Sequence, residues 1–252
     1  MDDVTRVSPA HRDLLVLTAV ELEARALARE LELPRLSPFP FPVYGRPAPT
    51  CQARLRVAPI GLRAALLPDR WPVLVADLAS PLVISAGSCG ALDPGLGVGD
   101  LILPEGVLGP SGERLNVTPS AHQAALQRAP DAWTGLLLTS AEPVGTREAK
   151  TLCRRATGAT AVDMESAGIL GWASSRGCPS VVVRAVSDSA RQQIPAELAG
   201  LVTPEGKLQL GRAVTLVLTR PGTIADALAL RRGTRVALKR VARLLATLVE
   251  CV

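Results

Sequence analysis

The chain has 252 residues, 48% hydrophobic and 20% charged, with a net charge of +5 and a pI near 9.3. That balance excludes a disordered chain and describes a globular protein of one large or two small domains. Aromatic residues make up only 2% and no apolar run approaches a bilayer span, so neither a nucleic-acid stacking platform nor a transmembrane helix is expected.

From the amino end, MDDVTRVSPAHRD is polar and partly acidic, unlike a signal peptide, and a cytoplasmic location is expected. Residues 14–18, LLVLT, read as a short buried strand, and AVELEARALARELEL behind them has the mixed pattern of a helix. Thr18 and Glu21 form a T-x-x-E pattern that predicts a capping box, and Glu21 can also pair with Arg25 one turn on. Glu23 has neither role, and on this segment alone it reads as a solvated helix residue. The stretch PRLSPFPFPVYGRPAPT carries six prolines between Pro34 and Pro49 and reads as a loop or extended segment. It holds both phenylalanines and the single tyrosine.

Strand-like runs follow at 54–58, 82–86, 100–103 and 136–139, helices near 119–128, 146–156 and 166–176, and a last strand, VVVRAV, at 181–186. Apolar strands alternating with helices predict an α/β fold on a mostly buried sheet, with ligand sites beyond the carboxyl ends of the strands. There is no internal repeat. The five cysteines are widely spaced without a CxxC pair, and His11 and His122 are far apart, so no disulfide framework or structural zinc site is expected.

Three polar clusters stand at predicted strand ends. The first is TAVELEA, with Glu23. In the second, ISAGSCGALDPGLGVGD, Gly87-Ser88-Cys89-Gly90 follows a buried strand, where the backbone can turn sharply and present N–H groups. It lacks the Lys-Ser/Thr ending of a P-loop and the GxGxxG spacing of a dinucleotide site. The third pairs AVDMESAG with VRAVSDSA. Taken singly, Asp163 would cap the next helix with Glu165 in its first turn, and Asp188 would cap a short turn.

Together these segments resemble the purine nucleoside phosphorylase and nucleosidase superfamily, especially the 5′-methylthioadenosine/S-adenosylhomocysteine nucleosidases. The likeness runs in order from A-V-E-L-E, through A-G-S-C-G-A-L and L-G-V-G-D-L-I-L, to V-D-M-E-S-A and V-V-V-R-A-V-S-D, over residues 14–190. It implies a single domain over 1–252: a three-layer α/β/α sandwich with a central mixed sheet, and 191–252 as a carboxyl-terminal helical extension. It also implies a homodimer and no cofactor or metal. By the same likeness, Glu23 activates the attacking water and Asp188 protonates purine N7. Glu165 holds the ribose 2′- and 3′-hydroxyls, Met164 packs on the sugar face, and Gly87 and Ser88 line the site. Ser187 and Arg184 support the strand end beside the acid, and Asp163 serves the turn.

The nucleophile is read as water. Hexameric phosphorylases of the superfamily carry arginine two residues ahead of the first glycine of this loop to hold phosphate, and here that residue is Ser85. Arginine is the favoured bidentate phosphate ligand, so its absence points to hydrolysis. Phosphorolysis, with Arg25 or Arg46 substituting, is the enzymatic alternative. A non-catalytic nucleoside-binding paralogue is the alternative of a different class. The adenine-side loop, LTSAEPVGTRE, has Pro143 near the place where the methylthioadenosine enzymes supply a phenylalanine.

In the last sixty residues, Arg232, Arg235, Lys239 and Arg243 recur on one helical face, and Leu238, Val241, Leu245 and Leu248 on another. Two uses are open: a helix packed on the domain with a solvated basic face, or a basic amphipathic helix on an anionic membrane. A-T-G-A-T-A-V-D-M-E-S, I-P-A-E-L, E-G-K and L-T-R-P-G are similar to the hopanoid-associated branch, which implies an adenine nucleoside with a lipid 5′ group. In that reading the basic helix contacts the inner membrane surface, and the proline-rich segment helps form an apolar 5′ pocket. Nucleic acid is not an expected partner.

Overall fold

The computed structural model describes residues 13–46, 54–78, 80–195, 203 and 223–249. In chain order its strands are β1 (Leu14–Thr18), β2 (Tyr44–Gly45), β3 (Leu55–Pro59), β4 (Leu82–Ala91) and β5 (Leu101–Ile102). They continue as β6 (Gly106–Leu108), β7 (Arg114–Asn116), β8 (Leu136–Thr139), β9 (Ala161–Asp163) and β10 (Ser180–Asp188). The α-helices are α1 (Glu21–Glu30), α2 (Leu67–Val75), α3 (Pro119–Arg128), α4 (Arg147–Thr157), α5 (Ser166–Ser174) and α6 (Thr223–Val249).

One mixed sheet runs in the order β2-β3-β1-β4-β9-β8-β6-β7. Strand β10 adds alongside β4, parallel to it, and pairs with β5 on its other side. Strands β1, β3 and β10 are buried along their whole length, as continuous apolar runs require when helices cover both faces. Side chains alternate: Val16, Ile84 and Val183 face one layer, formed by α1, α3 and α6, whereas Leu15, Leu17 and Val83 face α2 and α5. The result is the expected three-layer α/β/α sandwich.

Several local expectations change. Helix α1 begins at Glu21 with Val20 as its cap and no side-chain capping bond; Thr18 Oγ1 instead donates to the Val20 carbonyl. There is thus no capping box, while the Glu21–Arg25 pair forms at 2.5 Å. The Gly87–Gly90 stretch is no turn: β4 continues through it to Ala91, because β10 and then β9 supply ladder partners. Asp188 likewise ends β10 rather than capping a turn. Helix α2, with Pro68 in its first turn and Pro72 inside, was not expected from a sequence so rich in helix breakers.

Helix α6 packs its apolar side, including Leu238, Val241 and Leu245, into the main core, and leaves Arg232, Arg235, Lys239 and Arg243 exposed. Its apolar stripe is therefore part of the domain and not free to enter a bilayer. Among the described residues no helix is long and apolar enough to cross a membrane. In the proline-rich segment, Phe39 and Phe41 pack on the α2 side of the core, with Arg56 over one ring and Arg70 over the other. Most of the I-P-A-E-L motif, and all of E-G-K and L-T-R-P-G, lie outside the described residues.

Candidate active site

The carboxyl ends of β1, β4, β9 and β10 converge, and each brings a polar group. Beyond β1, the first turn of α1 turns Glu23 inward until it is 6% exposed. Its Oε1 accepts from the Ser88 backbone N–H at 3.0 Å and from Ser88 Oγ at 2.8 Å. Its Oε2 is buried and has no protein partner among the described residues. The helix position that made Glu23 look solvated is covered by β4.

Gly87 explains how so much charge fits. A Cβ there would lie 2.6 Å from Arg184 Nη1 and 3.0 Å from each Glu23 oxygen. Arg184, in mid-β10, is fully buried. It is paired with Asp163 at 2.8 Å and donates to Ser85 Oγ at 2.9 Å and to Ser166 Oγ at 3.2 Å. Burial works against its cation, but the Asp163, Glu165 and Glu23 carboxylates outweigh this and its pKa is raised. Ser85, the residue at the phosphate-arginine position, thus ends up holding a guanidinium already neutralised by Asp163. Asp163 also accepts from Thr139 Oγ1 at 2.7 Å and from the Ser166 N–H at 3.1 Å, the turn-serving role expected of it.

Glu165 stands at the start of α5, buried, and accepts a 3.2 Å bond from the Arg63 N–H. Burial, and then the nearby Asp163 charge, push its carboxyl up to about 7. Arg63 escaped sequence reading. It holds a left-handed φ of 54°, a conformation that costs energy in a non-glycine residue and here aims an N–H at a carboxylate. Met164, beside Glu165, is half-buried.

At the end of β10, Ser187 Oγ lies 2.7 Å from Asp188 Oδ1 and 3.1 Å from the Cys89 carbonyl. Gly90 faces the same carboxylate, its Cβ position 3.1 Å from Oδ2. Lys150 of α4, also missed, forms a 2.6 Å ion pair with Asp188 Oδ2, with both side chains buried. No sequence signal marked it, since it sits among arginines on an ordinary amphipathic helix. Cys89 is no nucleophile: burial pushes its thiol well up. Arg25 is exposed and tied to Glu21, and no group of three or more His, Cys, Asp or Glu suited to a metal occurs among the described residues.

Of the residues singled out in the sequence, Glu23, Gly87, Ser88 and Arg184 form one cluster, and Ser187 and Asp188 a second at the adjoining end of β10. Glu165 adjoins Asp163. Such an arrangement can hold a water on Glu23, a diol on Glu165 and a heterocycle nitrogen on Asp188.

Comparisons with known proteins agree with this architecture. Futalosine hydrolase of Streptomyces coelicolor is 28% identical over 240 aligned residues, covering 77% of this chain and 94% of the relative. The 5′-methylthioadenosine/S-adenosylhomocysteine nucleosidase of Neisseria meningitidis, solved with methylthio-immucillin-A, superposes with a TM-score of 0.69 at 21% identity, over 96% of this chain and 100% of that one. Futalosine hydrolase of Helicobacter pylori superposes with a TM-score of 0.70 at 15% identity, over 96% and 99%. The sequence model of the phosphorylase superfamily matches residues 72–219, and the chain belongs to that superfamily.

Proposed function

We propose that this chain is a purine-nucleoside N-ribohydrolase acting on a nucleoside with a 5′ substituent. Cleaving the N-glycosidic bond leaves a cationic sugar and an anionic base. Glu23 takes a proton from the attacking water, Glu165 grips the ribose hydroxyls and favours the cation, and Asp188 delivers a proton to N7. Met164, Ser88 and Gly87 line the sugar side. Arg184 acts indirectly, through Asp163 and the Ser88 carbonyl, and Ser187 orients Asp188.

The observation that carries this reading is the state of Glu23. One oxygen is fixed by Ser88, and the other is buried with no protein partner among the described residues, which suits a base aimed at a water. Ser85 in place of a phosphate-binding arginine favours water over phosphate, and the hydrolases among the similar proteins are in keeping with it. For the 5′ group, the motif likeness favours a hopanoid lipid on adenosine, whereas the Streptomyces coelicolor relative is named for futalosine. A homodimer, a cytoplasmic location and contact of the basic α6 face with the inner membrane surface belong to the same proposal.

The test is release of free base from plain and 5′-substituted adenosine and inosine, with and without phosphate. Equal rates without phosphate are expected, with the preferred 5′ group naming the substrate class. Release that requires phosphate and yields ribose 1-phosphate would replace hydrolysis by phosphorolysis. Binding without turnover would leave a nucleoside-binding protein.

A further inference from the structure

The chemistry above leaves unused a buried cation that touches one of its carboxylates. Lys150 Nζ lies 2.6 Å from Asp188 Oδ2, 2.8 Å from the Ser189 carbonyl and 3.1 Å from the Gln192 carbonyl. An ammonium has three N–H bonds, and here each has an acceptor. Among 28 lysines and arginines in the chain, three are lysines (Lys150, Lys207 and Lys239). A guanidinium makes the better buried ion pair but does not give up its proton, whereas an ammonium can. A chain that uses arginine almost throughout places a lysine against the acid of its candidate site.

We propose that Lys150 supplies the proton that Asp188 passes to the departing base; this rests on the glycosidic hydrolysis proposed above. In the resting site the pair is an ammonium and a carboxylate, with its one mobile proton on Nζ. When the N9–C1′ bond breaks, its electron pair goes to the base. N7 then takes a proton by way of Asp188, which is reloaded from Nζ. The water forms its bond to C1′ and leaves a proton on Glu23. Lys150 becomes a neutral amine whose two remaining N–H bonds match the Ser189 and Gln192 carbonyls, so no group of that segment is stranded. The cycle closes when Glu23 returns its proton to solvent and Nζ takes one up. Of the other charged side chains of α4 and β10, Arg147 donates to the Arg191 carbonyl, Arg154 pairs with Asp93 at 2.5 Å, Arg184 pairs with Asp163, and Glu148 and Arg155 are exposed.

The experiment measures kcat of wild type, K150M and K150R in phosphate-free buffer. One substrate is a purine nucleoside; the other is a 4-nitrophenyl β-riboside with the same 5′ group, whose leaving group needs no proton. Both variants are expected to lose on the order of 100-fold or more on the purine nucleoside and less than about fivefold on the aryl riboside. K150R keeps the charge on Asp188, so it separates proton supply from simple positioning. K150R within about threefold of wild type on the purine substrate would overturn the proposal, as would equal losses on both substrates. Wild type that releases no base at all would instead remove the hydrolytic reading, and this inference with it.

Discussion

Four carboxylates are buried around the site, and they are of two kinds. Asp163 and Asp188 each lie in a buried ion pair, with Arg184 at 2.8 Å and with Lys150 at 2.6 Å. Glu23 and Glu165 have no ion-pair partner among the described residues and are held by hydrogen bonds alone, from Ser88 and from the Arg63 N–H. A buried carboxylate without a cation is costly, and the cost shows at Glu165 as a carboxyl pushed up to about 7. The two unpaired groups make a place where positive charge is missing, and the cationic sugar of glycosidic cleavage would fill it. The Asp163–Arg184 pair ties β9 to β10, whereas Glu23 and Glu165 have no such pair among the described residues.

Substitutions should divide along the same line. The largest effect on activity is expected at Glu23: E23Q should lower kcat by about 100- to 10,000-fold while leaving nucleoside affinity by calorimetry and the urea midpoint close to wild type. A large stability loss in E23Q would mean that this carboxylate also belongs to the frame. Asp163 should behave in the opposite way. D163N leaves the Arg184 guanidinium buried without its counter-charge, and a loss of about 3–5 kcal/mol in urea unfolding is expected.

Glu165 sharpens the contrast through pH. With its folded pKa raised from 4.5 to about 7, the native state holds a proton that the unfolded chain has released, so this group's stabilising contribution is lost as pH rises through that window. E165Q should match wild type in stability near pH 4.5 and exceed it by on the order of 2–3 kcal/mol at pH 8, while cleaving poorly at both. Urea titrations at the two pH values read the difference directly, and parallel curves would show that Glu165 titrates normally.

Gly233 tests whether α6 belongs to the site. A Cβ there would overlap the Ser187 carbonyl oxygen, one residue from Asp188, so G233A should cost about 1–3 kcal/mol despite its better helix propensity. The smallest stability change, within about 0.5 kcal/mol, is expected on neutralising Arg232, Arg235, Lys239 and Arg243 together. If the basic face meets membrane, the same variant should lose binding to anionic vesicles in a flotation assay.

Much of this was legible in the sequence. Continuous apolar runs marked β1 and β10 because a strand covered on both faces has no polar side to show. Glu23, Glu165 and Asp188 were singled out because their motifs stand at strand ends in an order that resembles a known superfamily, and all three are buried. Other elements were not. Helix α2 contains the residues that ordinarily break helices, and β4 runs through a glycine pair that reads as a turn until its neighbours are in place. Arg63 contributes a backbone N–H, which carries no residue identity to read. Lys150 looks like any cation of a basic helix.

By itself, the sequence determined the fold class, since apolar periodicity sets the layers, and its resemblance to a known superfamily picked out the acidic residues at strand ends. Tertiary structure alone decided which charges are neutralised. Asp163 finds Arg184 across β4, Asp188 finds Lys150 from a helix 38 residues away, and Glu23 and Glu165 find no cation among the described residues. Ion pairing in a buried site depends on distances of a few ångströms between segments remote in the chain, which periodicity and spacing do not encode.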